Sequence, residues 1–263
     1  MFVQTIEFTT HEKYYSLKED FPKPIKLNIP EWYKKLENSK KKNIKLTRNI
    51  KGCIPFLETL TSGYSLQLPT DYKIQYNLEK NIFGSGLTKE KSPVSKFYNP
   101  ISSHDSNGFL KTQGISLAST DPHNTDQLKG SPMIKENGNS PFHKIINPWK
   151  IKTPKGYSCI FLNPLNNKSQ DYFKIIEGIV HTDKFPMEVN FPIILNTEKH
   201  KEINTCIFKG TPYVQIIPFK RDDWKMITKY ENSNEKFWQS LWELTFVDRY
   251  KNLFWNKNKT SWN

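Results

Sequence analysis

The chain has 263 residues, which is long enough to bury a substantial hydrophobic core. Hydrophobic residues make up 36% and aromatic residues 14%, and there are 17 prolines but only 11 glycines. No apolar run approaches the roughly 18 residues needed to cross a bilayer, and no signal peptide opens the chain. We therefore expect a soluble protein with an aromatic core and many short extended segments, without a membrane-spanning segment.

The formal net charge is +13, and lysine supplies almost all of it. Only Arg48, Arg221 and Arg249 are arginines, whereas nucleic-acid binders usually use arginine to grip phosphate and guanine. A positive field of this size still attracts polyanions. A nucleic acid or nucleotide is thus a candidate partner, and a lysine-rich composition with no bearing on function is the alternative.

Three widely spaced cysteines, Cys53, Cys159 and Cys206, show no CxxC spacing. This pattern disfavours a disulfide framework and a cysteine zinc site. Their apolar neighbours predict small core residues in a protein made in a reducing compartment.

Residues 1–51 are predicted to form an extended and helical N-terminal segment. Met1–Phe8 alternates weakly, as a short strand does. Pro30 is typical of a first helical turn, so we expect one short helix from Pro30 to Lys40. The basic run from Lys40 to Lys51 predicts a solvated linker or hairpin edge, and a segment that binds a partner is the alternative.

Residues 52–76 and 145–219 are predicted to form a β core. In the first part, Ile54–Thr61 predicts a short helix, and the strands Tyr64–Leu68 and Tyr72–Tyr76 flank a turn at Pro69–Asp71. We expect these two strands to pair as a hairpin.

In the second part, short apolar runs recur about every ten residues, which is typical of an antiparallel sandwich or barrel. The predicted strands are Trp149–Lys152, Tyr157–Leu162, Phe173–Val180, Met187–Leu195 and the two arms of Thr205–Phe219.

Residues 77–144 form a loop-rich insertion, rich in Gly, Ser, Asn and Pro, with Gly114–Ala118 as a candidate strand. Its histidines, His104, His123 and His143, lack the spacing that would bring metal ligands together. We take them as polar loop residues and predict no metal site.

Residues 220–263 are predicted to form a C-terminal helix, Asn234–Tyr250, and a basic aromatic tail. The tail places Phe254, Trp255 and Trp262 among lysines. That composition fits a stacking surface for single-stranded nucleic acid. It also fits a tail whose rings dock on the protein's own core, which we favour.

Several short motifs resemble the dUTPase and dCTP deaminase superfamily. Gly178–Phe185 (GIVHTDKF), Lys209–Phe219 (KGTPYVQIIPF) and Thr61–Leu66 (TSGYSL) are similar to its motifs in order and spacing. Gly210 and Gln215 fall at the family's turn glycine and glutamine. The resemblance implies a β-clip, dUTPase-like jelly roll, a scaffold on which trimers are common.

The departures from that family concern its chemistry. Its water-positioning aspartate would fall at His181, Ser65 replaces an early aspartate, and Asn163–Ser169 replaces its phosphate-contact motif. Its glycine-rich C-terminal arm is absent. Phosphoanhydride hydrolysis needs a positioned water and donors on the phosphates, so an active dUTPase is disfavoured.

The chain as a whole resembles a tailed-phage (marine virus-type) protein family of unknown function. The likeness implies a viral origin and no activity. It rests on segments that include Pro30–Leu36 (PEWYKKL), Cys53–Asp71 (CIPFLETLTSGYSLQLPTD) and Gly210–Lys225 (GTPYVQIIPFKRDDWK).

Asp183 and His181 are the candidate catalytic residues. With His200 they could supply an H-x-D…H iron site, since alternate residues of a strand share one face. The alternative is that Asp183 closes the turn after Val180 by bonding backbone N–H groups, with His181 at the surface.

Tyr64, Gln215 and Arg221 are the candidate ligand-binding residues. Arg221 is expected to pair with Asp222, Asp223 or an anionic ligand, and a structural ion pair is the favoured alternative.

We therefore predict a mainly β protein: an antiparallel jelly-roll or β-clip-like sandwich with a short N-terminal helix and a longer C-terminal helix. The leading functional hypothesis is a phage protein of the host cytoplasm or virion that acts by binding, with phage structural proteins, nucleic acid or a second copy as partners. The alternatives are a nucleotide-binding protein or hydrolase with a degenerate dUTPase-like site, and an Fe(II) oxygenase. The sequence identifies no cofactor.

Overall fold

The computed structural model describes residues 3–15, 21–37, 41–42, 45–46, 49–69, 71–77, 95–98, 109–112, 115–118, 121–122, 125–128, 130–133, 142–196, 198–230, 236–237, 250–255 and 262. In this part of the chain the protein is mainly β, and every strand pairing is antiparallel. The predicted class, mainly β with antiparallel sheets, is confirmed.

The strands are β1 Glu7–Thr9, β2 Lys23–Pro24, β3 Lys41–Lys42, β4 Lys45–Leu46, β5 Tyr64–Gln67, β6 Tyr72–Asn77, β7 Ser95–Tyr98, β8 Phe109–Thr112, β9 Ile115–Ala118, β10 Asp121–Pro122, β11 Phe142–Ile145, β12 Lys150–Lys152, β13 Tyr157–Leu162, β14 Phe173–Ile175, β15 Gly178–Val180, β16 Phe191–Leu195, β17 Glu202–Ile207 and β18 Pro212–Lys220. The α-helices are α1 Glu12–Tyr15, α2 Glu31–Lys34 and α3 Ile54–Thr61. Single turns of 3₁₀ helix occur at Ile25–Asn28, Ile50–Gly52 and Thr125–Leu128, and a π-helical turn at Tyr250–Phe254.

Three sheets build the centre of the molecule. Their strand orders are β15-β13-β18-β5-β2, β10-β11-β16-β14 and β17-β6-β7. Smaller pairs join β1 to β12, β3 to β4 and β8 to β9. The pairing of β13 with β18 is the longest in the five-stranded sheet, with six residue pairs from Tyr157↔Lys220 to Leu162↔Gln215.

One hydrophobic core collects side chains from all three sheets. The rings of Phe161 on β13 and Phe191 on β16 lie 5.5 Å apart, and Phe191 contacts Tyr213 on β18 at 5.7 Å. Tyr72 and Ile203, from the third sheet, belong to the same buried cluster. Fully burying a large apolar side chain contributes about 1.5–3 kcal/mol, so these ring contacts hold the sheets together.

Helix α3 ends where the chain must approach a neighbouring strand. The Ser62 N–H donates to the Glu58 carbonyl and closes the last turn. Gly63 then takes a φ of +82°, and a Cβ on it would lie 2.2 Å from the Ile216 carbonyl oxygen. Only glycine fits this position, because it has no Cβ and tolerates a left-handed backbone.

The predicted hairpin between Tyr64–Leu68 and Tyr72–Tyr76 is wrong, although both strands exist. β5 pairs with β18 and β2, whereas β6 pairs with β17 and β7. The Leu68 N–H donates to the Thr211 carbonyl at 2.9 Å, and the Gly210 N–H donates to the Leu68 carbonyl at 2.9 Å. The chain thus crosses from one sheet to another after Leu68, beside the return crossing from β17 to β18.

The single strand predicted over Phe173–Val180 is also wrong. The chain forms β14 in the four-stranded sheet and β15 in the five-stranded sheet. Between them, the Ile176 N–H bonds the Pro192 carbonyl at 2.8 Å, and the Glu177 carboxylate accepts from the Asn163 amide at 3.0 Å. Apolar residues occupy both strands, Phe173 and Ile175 on β14 and Ile179 and Val180 on β15, which made the run look continuous in the sequence.

Two amide side chains close the outer edge of β14. Asn163 Oδ1 accepts from the Ile175 N–H at 2.8 Å, and Asn163 Nδ2 donates to the Ile175 carbonyl at 3.2 Å. Gln170 bonds both backbone groups of Phe173 in the same way, at 3.2 and 3.0 Å. The amides occupy the sites where a neighbouring strand would bond, so this edge is protected from pairing with another chain.

Other predicted elements are shorter in the structure or lie outside the described residues. The strand predicted at Met1–Phe8 is β1, the helix predicted to reach Lys40 ends at Lys34, and the strand predicted from Met187 begins at Phe191. The C-terminal helix predicted at Asn234–Tyr250 falls mostly on residues 231–235 and 238–249, outside the described part, as do His104 and His123. The candidate strand at Gly114–Ala118 is β9, and the helix at Ile54–Thr61 is confirmed.

Two rings of the C-terminal tail, those of Trp255 and Trp262, contact α3 and β5. Trp255 Nε1 donates to Glu58 Oε1 at 2.6 Å, and the Trp262 ring meets the Tyr64 ring edge-on at 5.8 Å. Phe254 remains exposed. Among the described residues, no helix is long and apolar enough to span a bilayer.

Candidate functional site

Asp183 and Arg221 form a bidentate ion pair. Arg221 Nη1 lies 2.9 Å from Asp183 Oδ1, and Nη2 lies 2.5 Å from Oδ2. The Asp183 side chain is only 3% exposed, and its Oδ2 also accepts from the Gly156 N–H at 2.9 Å. Both carboxylate oxygens are therefore engaged with donors from the protein itself.

The surrounding turns hold this pair in place. The Lys184 and Phe185 N–H groups both donate to the His181 carbonyl at 2.9 Å, which makes the tight turn that carries Asp183. The buried Thr182 hydroxyl lies 2.7 Å from the Thr153 hydroxyl and anchors this turn to the end of β12.

Arg221 follows β18 directly and is bonded on several sides. Its backbone N–H donates to the Gly156 carbonyl at 2.8 Å. Its Nη1 donates to the Tyr157 carbonyl at 2.6 Å and to the Ser158 hydroxyl at 2.7 Å. Arg221 thus ties β18, β13 and the turn after β15 together.

Electrostatics in this region follow from the pairing. The hydrogen bonds from Arg221, together with that from the Gly156 N–H, hold the pKa of the Asp183 carboxyl well below its usual range. The same pair raises the pKa of Arg221. A carboxylate held in its charged form by a guanidinium is a weak proton acceptor, so this geometry suits a structural tie better than a general base.

The alternative role for Asp183, bonding backbone N–H groups, is what the structure shows, but in a different turn. Its N–H partner belongs to Gly156 in the turn before β13, not to the turn after Val180. The expected ion pair of Arg221 also forms, with a partner other than predicted: it is Asp183, whereas Asp222 pairs with Lys220 at 2.5 Å.

The two histidines of the proposed iron site, His181 and His200, have surroundings of their own. His181 is exposed at the surface. His200 Nε2 lies 3.2 Å from Asp171 Oδ1, and its ring packs on Tyr172 with centroids 5.0 Å apart. Within the described residues, which include all three proposed iron ligands, no group of three His, Cys, Asp or Glu side chains could hold a metal ion.

Gln215 is buried and fully engaged. Its Oε1 accepts from the Leu165 N–H at 2.8 Å, and its Nε2 donates to the carbonyls of Thr59 and Ser62 at 3.1 and 2.8 Å. The side chain therefore joins β18 to the end of α3 and to the loop that follows β13. Tyr64 is half-buried between the rings of Phe8 and Trp262, and burial raises its pKa.

The loop at 163–169 is shaped by the protein's own contacts. Asn166 and Lys168 have φ values of +57° and +26°, which are unusual for residues other than glycine. Asn166 Nδ2 donates to the Thr59 hydroxyl at 2.8 Å, and the buried Asn167 donates to the Asn28 carbonyl at 3.2 Å. These bonds turn the loop toward α3.

None of the three cysteines is in a disulfide in the described structure, and Cys159 is buried while Cys53 and Cys206 are half-buried. Burial raises the pKa of Cys159 to about 11, so its thiol is protonated near neutral pH and is a poor nucleophile.

A half-open groove of about 650 Å³ runs along β14. Asn163 brings the loop at 163–169 to this groove, beside residues of the predicted strands Phe173–Val180 and Met187–Leu195. Its lining includes Met133, Asn163, Lys174, Glu177, Ile194 and Glu198.

Sequence reasoning missed the most exposed apolar segment that the structure describes. Residues 222–230, which we call the arm, follow Arg221 without forming a helix or strand. Trp224, Met226, Ile227 and Tyr230 are 91%, 90%, 66% and 99% exposed. The pattern was available in the sequence: Trp224, Met226, Thr228 and Tyr230 alternate with Lys225, Ile227 and Lys229, as in an amphipathic strand.

Comparisons of the chain with protein-family models, with curated proteins and with solved structures found no match.

Proposed function

We propose that this chain is a non-catalytic binding protein that docks on a protein partner through the arm. The observation that carries the proposal is the exposure of four large apolar side chains within residues 222–230. Soluble proteins seldom present such a cluster to water unless it contacts another molecule. In this proposal the β core is a jelly-roll or β-clip-like scaffold, and Arg221 fixes the base of the arm to it.

The chemistry of the arm favours a protein over a nucleic acid. Asp222 and Asp223 offset Lys225 and Lys229, so the arm has no net charge although the chain carries +13. A stacking surface for single strands combines its rings with a positive groove, and two aspartates at its base would repel phosphates. Met226 and Ile227 suit an apolar protein surface.

The enzyme alternatives receive less support from the geometry. The nucleotide and iron hypotheses both rely on Asp183, whose two oxygens already accept hydrogen bonds from Arg221 and Gly156. The polar atoms of Gln215 likewise bond to backbone groups. As a phage protein of the host cytoplasm or the virion, the chain would act through contacts with phage structural proteins or with other copies of itself.

Site-specific photo-crosslinking in the cells that produce the protein tests the proposal. A photoreactive residue in place of Trp224 should give a discrete covalent adduct with one protein, identified by mass spectrometry of the crosslinked peptides. The same residue in place of Phe208, an exposed ring outside the arm, is the matched control. A discrete adduct from position 224 alone supports the proposal, and no adduct or equal labelling from both positions overturns it.

A further inference from the structure

In the described part of the chain, β15 is an edge strand of the five-stranded sheet. It pairs with β13 on one side, and no described strand lies on its other side. The corresponding edge of β14 is closed by the amides of Asn163 and Gln170. An open edge with unpaired backbone groups is a template for an added strand.

Exposed apolar side chains lie on β15 and in the segment that follows it, and we call them the patch. Ile179 lies on β15 and Phe185 and Met187 follow within eight residues, and their exposed fractions range from 37% to 58%. Val180, by contrast, packs against the core. The edge therefore offers both the backbone and the apolar side chains that an incoming amphipathic strand requires.

The arm has the matching pattern and no partner strand within the described residues. As a strand it would place Trp224, Met226 and Tyr230 on one face. From these two observations, and resting on the proposed function, we infer that the arm's partner is a second copy of this chain. The arm of each copy adds as an antiparallel or parallel strand beside β15 of the other, with the Trp224 face on the patch.

The Asp183–Arg221 pair places the two contact regions of each copy next to one another. It joins the turn directly after β15 to the base of the arm in the same chain. A two-fold axis that brings the first arm to the second β15 also brings the second arm to the first β15. The result is a closed dimer in which both contacts are identical.

The available area fits a stable dimer. A buried aromatic ring covers about 150–250 Å², so the four arm rings of a dimer would remove roughly 600–1,000 Å² from water. Met226, Ile227 and the patch side chains add to this, which brings the total into the range of about 1,200–2,000 Å² that specific interfaces bury.

The charges predict an unusual salt dependence. Two copies at +13 repel one another at long range, whereas the arm itself is neutral. Salt shortens the screening length from about 30 Å at 0.01 M to about 8 Å at 0.15 M, so the dimer should become tighter as salt is added. A polyanion complex would show the opposite trend.

Sedimentation velocity of the purified full chain at two salt concentrations tests the inference. We expect a species of twice the chain mass of 31.0 kDa, populated more at high salt. Met226→Pro, which removes a backbone donor from the arm, should raise the dissociation constant by about tenfold or more. It should leave the Tm unchanged at concentrations where both proteins are monomeric. Phe208→Ser is the control and should dimerise like the wild type. Crosslinks from position 224 should reach residues 178–187 of the other copy.

The inference fails if the wild type is monomeric at all concentrations, if Met226→Pro dimerises normally, or if the crosslinks reach another surface of the second copy. Failure here is distinct from failure of the proposed function. A monomeric chain whose position 224 captures a different protein would overturn the dimer and leave the binding role intact.

Discussion

Asp183, a candidate catalytic residue in the sequence, is held by Arg221 in the fold. The two residues are 38 positions apart, and Arg221 has two nearer aspartates at 222 and 223. Sequence distance therefore favours the wrong partners. The pairing depends on β13, which brings the turn after β15 and the end of β18 to one side of Gly156, and this arrangement is visible only in the assembled sheet.

This pair predicts a pH dependence of stability. Because the folded-state pKa of Asp183 is lowered from its usual value of 3.8, its contribution is present above that pH and lost as the pH falls below it. Asp183→Asn should therefore lower the Tm at neutral pH. It should also reduce the slope of the free energy of unfolding against pH between about pH 4 and pH 2. The reduction corresponds to the loss of about one proton, at most, taken up on unfolding.

Thermal unfolding followed across this pH range measures both effects. Arg221→Lys is the comparison: it keeps a positive charge and loses the planar fork, so it should also lower the Tm. Equal slopes for wild type and Asp183→Asn would show that the pair does not titrate with folding.

Gly63 and Gly210 allow a second residue-scale prediction, because both have a φ near +80° but only Gly63 meets a neighbour. Gly63→Ala should lower the free energy of unfolding by about 3 kcal/mol, since it adds a clash with the Ile216 carbonyl to the left-handed strain. Gly210→Ala carries the strain alone and should lose about 1 kcal/mol. Urea unfolding measures the two, and equal losses would contradict the close approach at Gly63.

Local sequence patterns predicted which helices and strands form better than they predicted which strands pair with each other. The helix at Ile54–Thr61 and the strand at Tyr157–Leu162 have the predicted bounds. The predicted hairpin between β5 and β6 is wrong because the turn residues at Pro69–Asp71 do not determine which distant strands pair with β5 and β6. There, Asp71 Oδ1 accepts from the Lys209 N–H at 2.6 Å, which docks one crossing on the other.

The capped edge of β14 gives the prediction at this scale. Asn163→Leu removes both bonds to Ile175, so it should lower the free energy of unfolding by about 1–3 kcal/mol and expose an edge that pairs between molecules. Light scattering at rising protein concentration should detect the aggregation, and urea unfolding the loss of stability.

Asn166→Gly is the matched control for Asn163→Leu. It lies in the same loop, keeps the left-handed backbone and removes an amide that bonds to Thr59 rather than to β14. If Asn163→Leu stays as soluble and as stable as this control, the amides do not protect the edge.

For the whole molecule, the mainly β, antiparallel class followed from proline content, aromatic content and strand spacing. The grouping of strands into sheets did not, because it depends on contacts between the two ends of the chain. The sequence singled out residues of the candidate site but did not predict how they are arranged. Asp183 and Arg221 form an ion pair, whereas His181 is exposed and His200 pairs with Asp171. The arm was overlooked because residues 220–263 were assigned to a helix and a tail, and an alternating pattern does not show how exposed a segment is in the fold.

The long-range strand pairing also sets the order in which the protein can fold during synthesis. Tyr72 on β6 pairs with Ile207 on β17, 135 residues later, and β5 must wait for β18. At about 5–20 residues per second, the ribosome needs on the order of 10 s to supply these partners. Through that interval β5 can pair only with β2, and β6 only with β7. Each strand therefore keeps one unpaired edge until its second partner, β18 or β17, has been made.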